Sequence, residues 1–272
     1  MTSSDGDRVR VEVGGGGAVW RVVLDRPAKL NALDEATRSA LQAVLADVAE
    51  RDEVRVVVLA GAGRAFSAGA DLADRPAARD RRDARDGAAG PAVGPAVGDA
   101  GVAARRATGR WQRLLDDLER LPQATVARLQ GHVIGGGALL AAACDLRVAA
   151  DDLAVRIPEV ALGLPLTWAG LPRLAREVGL SRTRDLVMTG RLLGADEALD
   201  WGLVHRVAPV DGLDAAVDDL VATLVAPPAL ALARTVDGLR ALGRALSAPD
   251  TAWADPDLLL TSLTSSPGRV RP

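Results

Sequence analysis

The segment from Ala124 to Cys144 constrains this chain more than any other. It reads as an apolar run, Ala124 to Leu129, then Gly131-His132-Val133-Ile134-Gly135-Gly136-Gly137, then an Ala/Leu-rich run from Ala138. Strand, glycine turn and helix in that order aim backbone N–H groups above the turn, because the first amides of a helix have no acceptor within it. Glycine lets an anion or a polarised carbonyl approach closely, and the helix N-terminus adds partial positive charge. The segment therefore predicts a site that stabilises negative charge on an oxygen. The competing reading is a tight packing turn.

Around that segment the pattern alternates strands with helices. Val9 to Val13 and Ala18 to Leu24, separated by Gly14 to Gly17, predict a hairpin at one end of a sheet. Asp34 is placed to cap a helix running to about Arg51, with Leu41, Val44, Leu45 and Val48 on its inner face. The unbroken apolar run Val54 to Ala60 predicts a strand covered on both sides. Residues 74–101 lack periodicity and combine a charge run with an Ala/Gly/Pro stretch, so a mobile loop is expected there. Arg105 to Arg120 predicts a helix with Trp111, Leu114, Leu115 and Leu118 in the core. Short strands at Leu146 to Ala149 and Leu153 to Val155 follow the glycine-led helix, and from Trp168 onward the pattern is mostly helical. The fold class expected is α/β.

Composition narrows the partners. A net charge of −3 argues against nucleic acid or an anionic membrane surface as the main partner. No apolar run approaches the roughly 20 residues that span a bilayer. The lone cysteine, Cys144, excludes an internal disulfide, which fits a cytoplasmic location, and its expected role is packing. Two separated histidines and one cysteine offer no metal site. Lys29 is the single lysine among 33 basic residues.

Two further segments carry candidate chemistry. Phe66-Ser67-Ala68-Gly69-Ala70-Asp71-Leu72 is a second turn of small residues, and one N–H from each glycine-containing turn would bracket one acyl oxygen. Asp71 reads more simply as a carboxylate satisfying nearby N–H groups than as a catalytic acid. Glu159 stands alone in the apolar stretch Ile157 to Leu164. Such surroundings raise a carboxyl pKa and suit acid or base work, and the alternative is an ion pair with an arginine. His132 and His205 read first as packing or locally bonded residues; Thr167 and Trp168, eight and nine positions past Glu159, read first as packing, the alternative being that they line a substrate pocket.

Taken together, Leu24 to Leu33, Phe66 to Leu72, Gly131 to Gly137, Pro158 to Leu164 and Gly194 to Val204 resemble the crotonase, or enoyl-CoA hydratase/isomerase, family in order and spacing. The resemblance implies a spiral of ββα units over 1–200, carrying a loop insertion at 74–104, and a C-terminal helical region over 201–272 that drives trimers or hexamers. It implies an acyl-CoA thioester as substrate, with coenzyme A as part of that substrate and no separate cofactor. It assigns the oxyanion-holding N–H groups to Ala70 and Gly136. It also assigns contacts with coenzyme A or substrate to Lys29, Ala68, Gly69, Asp71, Leu72, Gly135 and Leu139.

One departure from the family pattern matters. A hydratase of this family holds its water with two glutamates, and the corresponding positions here are Leu139 and Glu159, 20 residues apart. Leucine neither orients water nor transfers protons. One carboxylate and an oxyanion hole suit a shift of a 3-enoyl-CoA to a 2-enoyl-CoA through an enolate, with Glu159 as acid and base. The alternatives are a hydratase or lyase with a rearranged water site, and a non-catalytic acyl-CoA-binding protein.

Overall fold

A computed structural model describes residues 8–71, 99–246, 255, 257 and 258. Two sheets form the frame. The larger has six strands in the order β1 (Val9–Gly14), β2 (Val19–Leu24), β3 (Val56–Gly61), β5 (Ala124–Leu129), β7 (Leu146–Ala150) and β10 (Arg206–Ala208). The smaller has four, in the order β4 (Ala65–Ser67), β6 (His132–Ile134), β8 (Ala154–Arg156) and β9 (Leu193–Gly194). The expected hairpin is present, with β1 antiparallel to β2 and Val9 opposite Leu24. From β2 to β10 every pairing in the larger sheet is parallel.

Both faces of the larger sheet are covered, which is why its central strands are apolar without alternation. Val57 and Leu59 face the main core with α1 (Glu35–Ala49) and α2 (Asp99–Leu118), whereas Val56 and Val58 face Leu213, Val217 and Leu220 of α6 (Leu213–Val225). Helix α1 starts as expected: the Asp34 carboxylate accepts the Thr37 N–H at 2.7 Å. Cys144 is buried packing, its thiol pushed up to about 12 by burial and by the neighbouring Asp145 carboxylate.

Two expectations need correction. Helix α2 begins at Asp99, so residues 99–104 are helical and not loop. The alanine-rich sequence there favours a helix more than the neighbouring glycines oppose it. The glycine-led helix, α3 (Gly136–Ala142), starts inside the triplet and not at Ala138. The remainder of the expected mobile loop, residues 74–98, lies outside the described residues, as does most of the last stretch of the chain.

The helical C-terminal portion is α4 (Gly170–Thr189), α5 (Ala195–Asp200), α6 and α7 (Ala229–Leu246). Arg240 of α7 ties it to the larger sheet, donating to Asp145 between α3 and β7 at 2.7 Å.

Candidate active site

The site rests on three neighbouring parallel strands. β4 pairs with β6, and β6 with β8, so their C-terminal ends open on the same side. Those ends lead into Ala68-Gly69-Ala70, into Gly135-Gly136 and into Pro158-Glu159. Segments distant in sequence are thereby brought to the carboxyl edge of one sheet, where ligands of α/β proteins bind.

Contact between the first two turns depends on glycine. A Cβ on Gly69 would stand 2.5 Å from the Ile134 carbonyl oxygen and 3.4 Å from the Gly136 nitrogen. Only a bare α-carbon fits that gap, and its φ of +80° is one that L side chains avoid. Ser67 locks the turn from below, its Oγ donating to the Asn31 carbonyl at 2.8 Å and accepting the Gly69 N–H at 3.1 Å. Gly136 opens α3, so its N–H belongs to the helix turn that has no internal acceptor.

Glu159 arrives from β8. Its Oε1 packs against the α-carbon of Gly135, where a Cβ would come within 2.4 Å. The preceding ladder fixes this approach, because Gly135 N–H donates to the Arg156 carbonyl at 2.8 Å. Leu139, one turn into α3, is buried against the start of α4: a Cβ on Gly170 would lie 2.9 Å from its Cδ1.

Lys29 lies exposed on the short helical turn Pro27–Lys29, and that loop is joined to the second turn. Ala68 N–H donates to the Leu30 carbonyl at 2.8 Å, Leu33 N–H to Gly69 at 2.8 Å, and Asp71 N–H to Leu33 at 2.9 Å. Asp71 pairs with the guanidinium of Arg26 at 3.2 Å, an arginine side chain in place of the backbone N–H groups expected from the sequence. Leu72 lies outside the described residues.

Two organising residues are not assigned this role from sequence: Asn31 is not singled out, and Trp168 reads as packing ahead of pocket lining. Asn31, buried and at φ +54°, accepts the Arg26 N–H and donates to the Ala62 and Ala65 carbonyls, each at 2.8 Å, so it staples the Lys29 loop to β4. Its signal was the arginine–proline turn that precedes it. Trp168 packs its six-membered ring on Gly136, where a Cβ would stand 2.3 Å from Cζ3, and stacks on Trp111 with centroids 4.7 Å apart. His132 is exposed on β6. His205 accepts the Arg147 N–H at 3.1 Å, and burial together with the Arg147 charge holds its pKa below the usual histidine range. Neither histidine joins the site.

A family model for enoyl-CoA hydratase/isomerase matches residues 19–243. The human enoyl-CoA hydratase domain-containing protein 2, mitochondrial, is 34% identical over 211 residues, 77% of this chain and 65% of that protein. The rat Delta(3,5)-Delta(2,4)-dienoyl-CoA isomerase, mitochondrial, is 35% identical over 195 residues, 70% of this chain and 56% of that protein. The chain thus spans less than two thirds of the length of these curated relatives. A crystal structure of an enoyl-CoA hydratase from Bacillus anthracis is similar with a TM-score of 0.75 at 27% identity, covering 96% of this chain and 93% of that one. Motif order, two-sheet architecture and these matches agree: the chain belongs to the enoyl-CoA hydratase/isomerase family and has the crotonase fold.

Proposed function

We propose that this protein is an enoyl-CoA isomerase working with one carboxylate. The observation that carries the reading is the seat of Glu159 against Gly135, beside Gly136, with buried Leu139 where a second water-holding glutamate would stand. The N–H groups of Ala70 and Gly136 hold the thioester oxygen. Glu159 takes a proton from C2 of a 3-enoyl-CoA, and the C–H electron pair moves into a dienolate whose oxygen charge the two N–H groups stabilise. The dienolate collapses as Glu159 returns the proton to C4. The double bond has then moved from C3–C4 to C2–C3, and atoms and charge balance without a further reactant. Leu139 keeps water from the dienolate. Lys29 and the Ala68–Asp71 turn hold coenzyme A, Lys29 as a point charge near phosphate.

Proton NMR of a 3-enoyl-CoA and a 2-enoyl-CoA in D2O tests the reading. Wild type should shift the double bond and exchange solvent deuterium into the chain. Glu159→Gln should lower that rate on the order of 100-fold or more. Appearance of 3-hydroxyacyl-CoA at a substantial rate would favour the hydratase, the activity for which the similar B. anthracis protein is named. Binding of acyl-CoA without conversion of either substrate would favour the non-catalytic reading.

A further inference from the structure

We infer that Asp255 is a positioning residue: by accepting the Ala169 N–H it holds Trp168 against Gly136 and so sets where the Gly136 N–H points. The inference deepens the proposed function, since it concerns the same oxyanion-holding turn.

Trp168 and Ala169 both lie in the left-handed region, at φ +61° and +54°. Neither is glycine, and two consecutive L residues in that region hold only where surrounding contacts enforce them. Two polar contacts do so from opposite sides. Arg173 Nε donates to the Trp168 carbonyl at 3.3 Å, and the same guanidinium pairs with Asp116 of α2 and with Glu119 just after it. On the other side the Ala169 N–H donates to Asp255 Oδ2 at 2.9 Å. Asp255 is only 6% exposed, and burial raises its carboxyl pKa, so this carboxyl is kept out of water to make that contact. The neighbouring Asp257 pairs with Arg105 of α2 at 3.2 Å, which brings this part of the chain to the helix that carries Trp111.

The turn so held presents the indole to the site. Trp168 stacks on Trp111 at 11° between planes and lies on the α-carbon of Gly136. Its ring is thus the wall against which the first residue of α3 rests. A small release of the turn would shift that wall, and oxyanion donors lose their effect within a fraction of an ångström.

Two stacked indoles couple their excited states, and the resulting far-ultraviolet circular dichroism couplet reports their geometry without substrate. Trp111→Phe identifies it by removing it. Asp255→Ala should diminish the couplet and lower kcat about tenfold while KM stays within about twofold, the split expected when transition-state contacts are lost. Asp255→Asn keeps an acceptor oxygen and should retain most of both signals. Adding Ala169→Gly to Asp255→Ala should restore at least half the couplet, because glycine takes the left-handed conformation unaided.

An unchanged couplet and kcat in Asp255→Ala would overturn the inference. So would equal loss in Asp255→Asn, which would make the charge and not the hydrogen bond responsible. If Asp255→Ala fails to fold, Asp255→Asn decides: retention of both signals supports the inference and loss of either overturns it. Wild type inert toward enoyl-CoA, with the couplet responding as described, would support Asp255 while sinking the acyl-CoA reading.

Discussion

Gly135 and Gly136 work through what their missing side chains admit. The carboxylate of Glu159 fills the place of a Cβ on the first, and the indole of Trp168 fills it on the second. Gly136→Ala should therefore cost about 1–3 kcal/mol through overpacking and lower kcat roughly 100-fold as α3 shifts. Thermal unfolding and steady-state rates check this, and an alanine variant of ordinary activity would mean that the ring moves freely. Leu139→Glu should be worse for stability than for binding. A carboxyl there meets Leu166 and Gly170 in a buried apolar setting, at a cost of about 3 kcal/mol, or roughly 6 to 12 °C in Tm. An unchanged Tm would show that the pocket floor is wet and would weaken the argument against hydration. The glycines and Glu159 were legible beforehand because each announces itself locally, as a run of glycine or a lone acid, whereas Leu139 stood out only against the family pattern. Trp168 and Asp255 were not. The indole read as one more core aromatic, and the partners of the Ala169–Asp255 bond lie 86 positions apart, beyond any local pattern.

Helices and strands divide by how their faces are covered. β3 and β5 were plain from sequence, since a strand buried on both sides leaves an unbroken apolar run. β9, two residues long, left no periodicity to read, and the start of α2 was hidden by the glycines around Asp99. Packing of α6 on the larger sheet adds an electrostatic clamp at its rim. Asp214 accepts from Arg128 at 2.8 Å and from Arg21 at 2.6 Å, joining the helix to β5 and β2. The Arg128 hydrogen bond, helped by Arg21, lowers the Asp214 pKa to about 2 against partial burial. A depressed carboxylate stabilises the fold above its unfolded pKa of 3.8 and loses that contribution as pH falls through about 2. Asp214→Asn should thus lower the urea midpoint at neutral pH and converge on wild type in strong acid. A gap that persists at pH 2 would assign the effect to packing.

Across the molecule, the α7 helix leaves Leu230, Leu239 and Leu242 exposed at 69%, 64% and 56%, although Arg240 between them is anchored to the sheet. We propose that another copy of the chain covers this face, in keeping with the trimer or hexamer that the family resemblance implies. Leu239→Glu with Leu242→Glu should lower the mass seen by light scattering to that of a smaller species, and an unchanged mass would exclude this face from the assembly. The placement of the oxygen-holding donors has a longer consequence. Ala70 and Gly136 offer main-chain N–H groups at the ends of parallel strands, and of the coded residues only proline would delete either amide. The side chains at 139 and 159, by contrast, here leucine and glutamate, are each one codon from gain or loss of a carboxylate. On the proposed reading, inheritance can therefore exchange one reaction for another at this cleft while the polarising half passes on intact, so that descendants would diverge in product long before they abandon thioester enolates.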